Sequence, residues 1–261
     1  TENFAHAQLE TLVQLSASGS NRNYFRFMEQ EKSIIVTYNE NVAENEAFFY
    51  MTAHFSAKKI PVPTLYCIDK SRKIYAQNDL GSTELLKFQL AKTVQTKTYY
   101  QKTLDALIAI QIDGNEGFDY SKCYDFDRFD ANVILHDLYY FKNYFLDLLD
   151  IHYSKKNLLE EFNQLSQKLV AMPLQKFMFR DFQARNVMIF DQKAYLIDYQ
   201  GGMKGPVQYD LVSLLWQAKA NLNDSEKQEY YNYYLQHLQQ KLNIDIDLNS
   251  FEEGYHLCLI I

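Results

Sequence analysis

A chain of 261 residues is long enough for one large domain or two joined lobes with a substantial core. Its 47% hydrophobic and 23% charged residues are a globular balance, which excludes a mainly disordered chain. With 26 basic against 33 acidic residues the net charge is −7, so the basic footprint of a general nucleic-acid binder is missing.

In chain order, 10–17 reads as a first strand and 18–23 as a small polar turn. Residues 24–29 and 33–38 read as a second and third strand joined by a charged turn. A helix over 42–58 follows, with Phe48, Met51, Thr52 and Phe55 on one face by three-four spacing. Pro61 and Pro63 stop it, and strands over 64–68 and 73–77 run into Asp79-Leu80-Gly81. Strands, one helix, more strands and a glycine predict a small antiparallel-sheet lobe over 1–80 that ends in a hinge.

The remainder, 81–261, reads as a larger, mainly helical lobe. No Pro or Gly interrupts 85–112, which predicts one long helix, and 129–153 and 157–172 predict two more. Between them 113–130, rich in Gly, Asp and Tyr, is a long loop of the kind that often carries function. Residues 177–180 read as a strand, and 187–190 with 193–198 as a hairpin turned at Asp191-Gln192. A helix over 209–220 follows Pro206, with Leu211, Leu214, Leu215 and Ala218 on one face.

The 21 Tyr and 18 Phe suit an aromatic core, or a surface that packs on sugars or bases. Cys67, Cys123 and Cys258 are far apart and have no metal-binding spacing, so reduced and mostly buried thiols are expected. No basic-then-apolar leader and no membrane-length apolar span is present, which points to a cytoplasmic protein. The missing initiator Met and the apolar ending Leu257–Ile261 are what a chain trimmed at both ends would show.

The chemistry concentrates in Phe179-Arg180-Asp181-Phe182-Gln183-Ala184-Arg185-Asn186 and Ile197-Asp198-Tyr199-Gln200-Gly201-Gly202. Phosphoryl transfer needs a carboxylate near the acceptor hydroxyl, ligands for magnesium, and positive charge against the phosphates. Asp181 can orient the hydroxyl and take its proton. Asn186 can turn back to a metal through its amide oxygen, and Asp198 at the end of the hairpin can reach a metal on the terminal phosphates. Any one of these residues alone is an ordinary turn cap. Arg-Asp, four residues, Asn, a hairpin and Ile-Asp together form a multi-part pattern.

The chain resembles the aminoglycoside phosphotransferase and choline kinase superfamily, and within it the bacterial kinases of N-acetylmuramate and N-acetylglucosamine. The resemblance covers about 19–220. It rests on G-S-N-R-N-Y-F-R at 19–26, D-L-G at 79–81, R-D-F-Q-A-R-N at 180–186, I-D-Y-Q-G-G at 197–202 and G-P-V-Q-Y-D-L at 205–211. It implies an α+β, bilobal, protein-kinase-like fold and an ATP- and magnesium-dependent small-molecule kinase. Asp181 is then the catalytic base, and Asn186 and Asp198 the metal ligands. Gln77 to Asp79 would be the hinge beside adenine. Asp210 would buttress the catalytic loop; as a residue it reads equally as a carboxylate at a helix N-terminus.

Two departures stand out. Phe179 replaces the usual His before Arg-Asp, a group that serves mainly as scaffold. The third strand has no Lys to hold the ATP phosphates and pair with a helix Glu; Thr37 stands near that position. Glu44 shares the inward helix face, and Arg26 on the second strand is the candidate replacement cation; the plainer reading makes both surface charges. Gly19, Ser20 and Asn21 either cover phosphates with backbone N–H groups or form a hairpin turn. The acidic stretch 119–130 either lines an acceptor site or is solvated. The expected acceptor is the anomeric hydroxyl of an N-acetylated amino sugar. The alternatives are an aminoglycoside antibiotic, or a non-catalytic nucleotide-binding domain. The sequence assigns no protein partner.

Overall fold

In the computed structural model, which describes residues 4–15, 22–149 and 151–261, five strands make one antiparallel sheet. These are β1 (Ala7–Leu15), β2 (Asn23–Glu29), β3 (Lys32–Tyr38), β4 (Leu65–Ile68) and β5 (Ile74–Asn78), in the order β1-β2-β3-β5-β4. The tight turn after Glu29 pairs Glu29 with Lys32 and carries the register to Asn23 opposite Tyr38. Alternation along these strands sends Phe27, Ile34 and Ala76 into a cluster on one face, with Phe4, Ala7, Val36 and Cys67 packed against it. Arg26, opposite Ile35, points to the other face.

Helix α1 (Val42–Ala57) starts at Asn41, whose side chain accepts the Glu44 N–H. Its predicted inward residues Phe48, Met51, Thr52 and Phe55 are all buried. Phe48 lies 5.2 Å from the Tyr75 ring and 5.4 Å from the Tyr199 ring, and Thr52 Oγ1 is 2.6 Å from the Tyr199 hydroxyl. The helix therefore grips the residue that follows Asp198.

By contacts the chain groups into two compact units, 1–106 with 184–200, and 107–183 with 201–261. This grouping differs from a single boundary at residue 80. The hairpin β7 (Val187–Phe190) and β8 (Lys193–Leu196) is bonded to the first unit through Leu196 N–H to Pro61 O and Ile189 N–H to Thr83 O, both 2.8 Å. Its turn falls where predicted: Asp191 and Gln192 both have positive φ, 46° and 57°, as a two-residue hairpin turn requires.

The predicted helix over 85–112 is two helices, α2 (Leu85–Ala91) and α3 (Thr96–Ile112). Lys92 turns left-handed at φ 47°, Thr93 and Thr96 hydroxyls lie 3.1 Å apart, and Thr96 donates to the Phe88 carbonyl. Threonine hydroxyls that bond locally give the backbone an alternative to the helix without any Gly or Pro.

In the second unit, α4 (Ala131–Tyr144) is shorter than predicted. Asp130 caps its start, and beyond Phe145 the chain turns so that Asp147 meets Lys142 at 2.7 Å and accepts from Tyr153. Then come α5 (Lys155–Val170) and β6 (Gln175–Met178), which pairs antiparallel with β9 (Met203–Pro206). Helix α6 (Val207–Leu215) buries Leu211, Leu214 and Leu215 but ends before Ala218, which is exposed in a short 3-10 turn. Helices α7 (Asp224–Leu242) and α8 (Leu248–Cys258) complete the unit. Cys67 and Cys123 are only half-buried, against expectation, Cys258 is buried, and all three are free thiols. No helix among the described residues is long and apolar enough to cross a membrane.

Strand β6 leads into Phe179, Arg180 and Asp181, so its packing matters for the site. A Cβ on Gly205 of β9 would lie 2.5 Å from Met178 Sδ and 3.0 Å from Met178 Cβ. Met178 is fully buried and has little room to yield. Gly205→Ala should cost about 1–3 kcal/mol through overpacking, read as a lower urea midpoint with unchanged slope; an unchanged midpoint would refute the close packing.

Candidate active site

In the first unit one cation joins two carboxylates. Arg22, immediately before β2, is 5% exposed. It donates from Nη2 to Glu44 Oε1 at 2.5 Å and from Nη1 to Asp198 Oδ1 at 3.2 Å. Glu44 is held from a second side by Asn39 Nδ2, 2.9 Å from its Oε2. Burial opposes the Arg22 charge, but Tyr75, Tyr24 and Glu44 around it raise its pKa above the ordinary value, so it stays a cation. Gln200 Nε2 also donates to Asp198 Oδ1, at 2.8 Å. Asp198 itself sits at φ 68°, a costly backbone conformation for a residue other than glycine.

The hairpin brings Asn186 beside Ile197, the residue before Asp198. Val187 pairs with Leu196 at the open end of the hairpin, and the Ile197 N–H donates to the Asn186 carbonyl at 3.0 Å. The two candidate metal ligands thus flank a stiff backbone element. Both are hard oxygen donors, which suits magnesium and its preference for few protein ligands plus water and phosphate. Among the described residues no group of three or more His, Cys, Asp or Glu could hold a metal ion.

The expected pairing of Arg26 with Glu44 does not occur. Arg26 donates to both oxygens of Asp79, at 2.6 and 3.0 Å. Asp79 also accepts from Ser33 Oγ at 2.5 Å and from the Gly81 N–H at 2.8 Å. Burial works to raise the Asp79 pKa, but the bonds from Arg26, Ser33 and Gly81 outweigh it and hold the carboxyl below its ordinary value. The reason is strand geometry: positions 22 and 26 lie about 13 Å apart along an extended chain, so Arg26 serves the end of the sheet away from α1. Asp79 is committed to that ion pair, and the Gln77 Oε1 beside it is buried without a hydrogen-bond partner. Gly19, Ser20 and Asn21 lie outside the described residues.

Arg22 was the residue that sequence reading missed, although G-S-N-R-N-Y-F-R contains it. The turn register could have found it. With Asn23 opposite Tyr38, Arg22 stands beside the start of the segment that leads to Glu44.

In the second unit Asp181 sits in a loop braced by Asp210. The Phe179 and Arg180 N–H groups donate to Asp210 at 2.8 and 3.0 Å, and Gln111 Nε2 lies 3.3 Å away. Asp210 is therefore a buttress of the loop as well as a residue in the first turn of α6. Phe179 is fully buried, so the position where a His is usual is filled by an apolar ring, and the loop is anchored through its N–H. Arg180, at φ 82°, pairs with Asp137 at 2.8 Å and lies over the Phe129 ring at 5.3 Å. An open groove beside it is lined by Tyr140, Phe141, Tyr144 and Tyr209 together with Asp137 and Arg180. In the acidic stretch, Asp119 accepts from the Ser121 N–H, and Asp130 from Asn132 and Val133, so these two carboxylates serve local structure.

Burial pushes the Asp210 carboxyl up to about 7, against the pull of the Phe179 and Arg180 N–H groups. Between an ordinary carboxyl value of 3.8 and this raised one, the folded protein keeps a proton that the unfolded chain releases. The stabilising share of that proton is full at acid pH and is lost as pH rises through about 7. Relative to Asp210→Asn, which does not titrate, the wild-type unfolding free energy should fall between these pH values. Urea unfolding at both ends of the window checks this, and a flat or rising difference would contradict it.

The family description "Phosphotransferase enzyme family" matches residues 11–242. The N-acetylmuramate/N-acetylglucosamine kinase of Neisseria meningitidis is 24% identical over 209 residues, 78% of this chain and 60% of that protein. The chain thus spans about three fifths of that relative's length. Among solved structures, the Plasmodium vivax ethanolamine kinase matches with a TM-score of 0.66 at 11% identity, over 97% of this chain and 74% of the other. A thermostable mutant of aminoglycoside phosphotransferase APH(4)-Ia, in a ternary complex with ADP and hygromycin B, matches with a TM-score of 0.59 at 14% identity, over 99% and 86%. These likenesses bear out the α+β, kinase-like fold expected from the sequence. With most of its length matched by the family, the chain belongs to the phosphotransferase enzyme family.

Proposed function

We propose that this protein is an ATP-dependent, magnesium-requiring kinase that phosphorylates a hydroxyl of a small molecule, with the anomeric hydroxyl of an N-acetylated amino sugar as acceptor. The observation that carries the reading is the Asn186–Asp198 pair at the base of a stiff hairpin, with Asp198 oriented by Arg22 and Gln200. Family membership and the ADP complex of a structural neighbour support ATP as the donor. The N-acetylmuramate/N-acetylglucosamine kinase relative supports the sugar.

In this reading Asp181 accepts the proton of the attacking hydroxyl and fixes its direction. Asn186, through its amide oxygen, and Asp198, through a carboxylate oxygen, would hold magnesium. The ion would neutralise charge growing on the phosphoryl oxygens. Preorganisation costs nothing at the moment of reaction, because both ligands stand on a hairpin already bonded to its unit. The aromatic groove beside Arg180 supports a sugar, since ring faces pack on sugar rings while Asp137 and Arg180 offer polar contacts. The aminoglycoside alternative leaned on the acidic loop, and the capping bonds of Asp119 and Asp130 weaken it.

Asp181→Asn should lower turnover by about 10²- to 10⁴-fold while ATP affinity stays near wild type. Asp198→Ala should weaken magnesium-dependent ATP binding and turnover together. Near-normal turnover in either variant would defeat the assignment. The acceptor is tested by a screen over N-acetylated sugars, neutral sugars, aminoglycosides and choline, with ATP consumption and reducing-sugar signal followed in parallel. Loss of reducing signal in step with ATP consumption is expected. Turnover on aminoglycosides alone would replace the sugar reading with the antibiotic one.

A further inference from the structure

We infer that Arg22 is the phosphate-binding cation of this site, delivered from the approach to β2 in place of the lysine that β3 lacks. The inference rests on the kinase reading above and adds the residue that meets the nucleotide's charge.

Four observations lead to it. Thr37 on β3 is fully buried and carries no charge, so the usual strand position supplies no cation. Arg26, the other arginine of the segment, is occupied by both oxygens of Asp79, which Ser33 also holds, at the far end of the sheet. Arg22 alone of these two reaches Glu44, at 2.5 Å, and Asp198, at 3.2 Å. Glu44, the partner expected of a kinase-like lysine, is itself fixed by Asn39 and by the Asn41 cap of its helix. The guanidinium thus makes the two contacts that such a lysine position joins: the helix carboxylate on one side and the metal-ligand carboxylate on the other.

Charge balance gives the arrangement a direction. Arg22 with Glu44 and Asp198 carries one net negative charge, which repels a bare triphosphate. A divalent ion on Asp198 reverses the sign and leaves one net positive charge facing the nucleotide. A guanidinium offers five donors in a planar fork, so Arg22 can keep Glu44 through Nη2 while turning Nη1 from Asp198 to a phosphate oxygen. Lysine, a single ammonium, would have to share one point charge among the same partners. Arg22 would therefore link metal loading to phosphate binding: before the ion arrives it stabilises Asp198, and afterwards it is released toward the phosphates.

The test measures equilibrium binding of ATP, ADP and adenosine to the intact protein, with and without magnesium, by calorimetry. Wild type should prefer ATP over adenosine strongly with magnesium and weakly without it. Arg22→Gln, close in size but neutral, should lose about 10- to 100-fold of the ATP affinity with magnesium and leave adenosine within about threefold. Arg22→Lys should recover part of the loss. Because Arg22 is buried, thermal melting accompanies each variant. A second measurement needs no variant to fold: in wild type, the buried arginine side-chain NMR signal slowest to exchange with solvent should shift with magnesium-ATP and not with adenosine. An ATP preference retained in Arg22→Gln but lost in Arg26→Ala would overturn the inference, as would an NMR signal indifferent to phosphate. If wild type itself shows no preference for ATP over adenosine, the kinase reading fails instead, so the two failures are distinguishable.

Discussion

The bridge from Arg22 to Glu44 and Asp198 is the constraint around which the first unit is arranged. Two carboxylates facing one site repel each other, and a buried guanidinium between them cancels most of that cost. Arg22 is only 5% exposed, whereas Glu44 is 23% and Asp198 40% exposed, so water screens the two carboxylates in part and the guanidinium is the charge most costly to leave unmatched. The neighbouring structure is consistent with that stake. Asn39 and Asn41 fix Glu44, and Gln200 fixes Asp198. The Phe48, Phe55 and Tyr199 rings lock the helix that bears one carboxylate to the residue that follows the other.

The second unit reaches a comparable end by another route. There the scarce resource is backbone geometry, since the segment before Asp181 includes Arg180 at φ 82°. A buried carboxylate, Asp210, collects the N–H groups of Phe179 and Arg180 and so over-determines the strained turn. Stacking of Arg180 over Phe129 and Tyr209 and its pairing with Asp137 hold the side chain as well. In each unit a non-glycine residue at positive φ, Asp198 or Arg180, is held by a charged hydrogen-bond network rather than by glycine. Such outliers cluster where function needs a fixed direction more than a relaxed backbone.

The amino-acid sequence by itself determined the class of the fold, the order of β1 to β5 with α1 between β3 and β4, and the residue types of the proposed phosphoryl-transfer centre. Those follow from local physics. Strand-forming runs on either side of a charged turn marked β2 and β3, three-four spacing marked α1, and Asp191-Gln192 marked the turn that brings Asn186 toward Asp198. Where local competition was hidden in side chains, the reading failed. Thr93 and Thr96 broke a helix that had no Gly or Pro, and Asp147 drew the chain away after Tyr144. The choice between Arg22 and Arg26 was of a different kind. Both lie in one short segment with the same charge and nearly the same neighbours in sequence. Only the tertiary structure decided between them, because the partners that matter, Glu44 and Asp198 for one and Asp79 for the other, are 22, 176 and 53 residues away and are brought in by sheet register and hairpin docking.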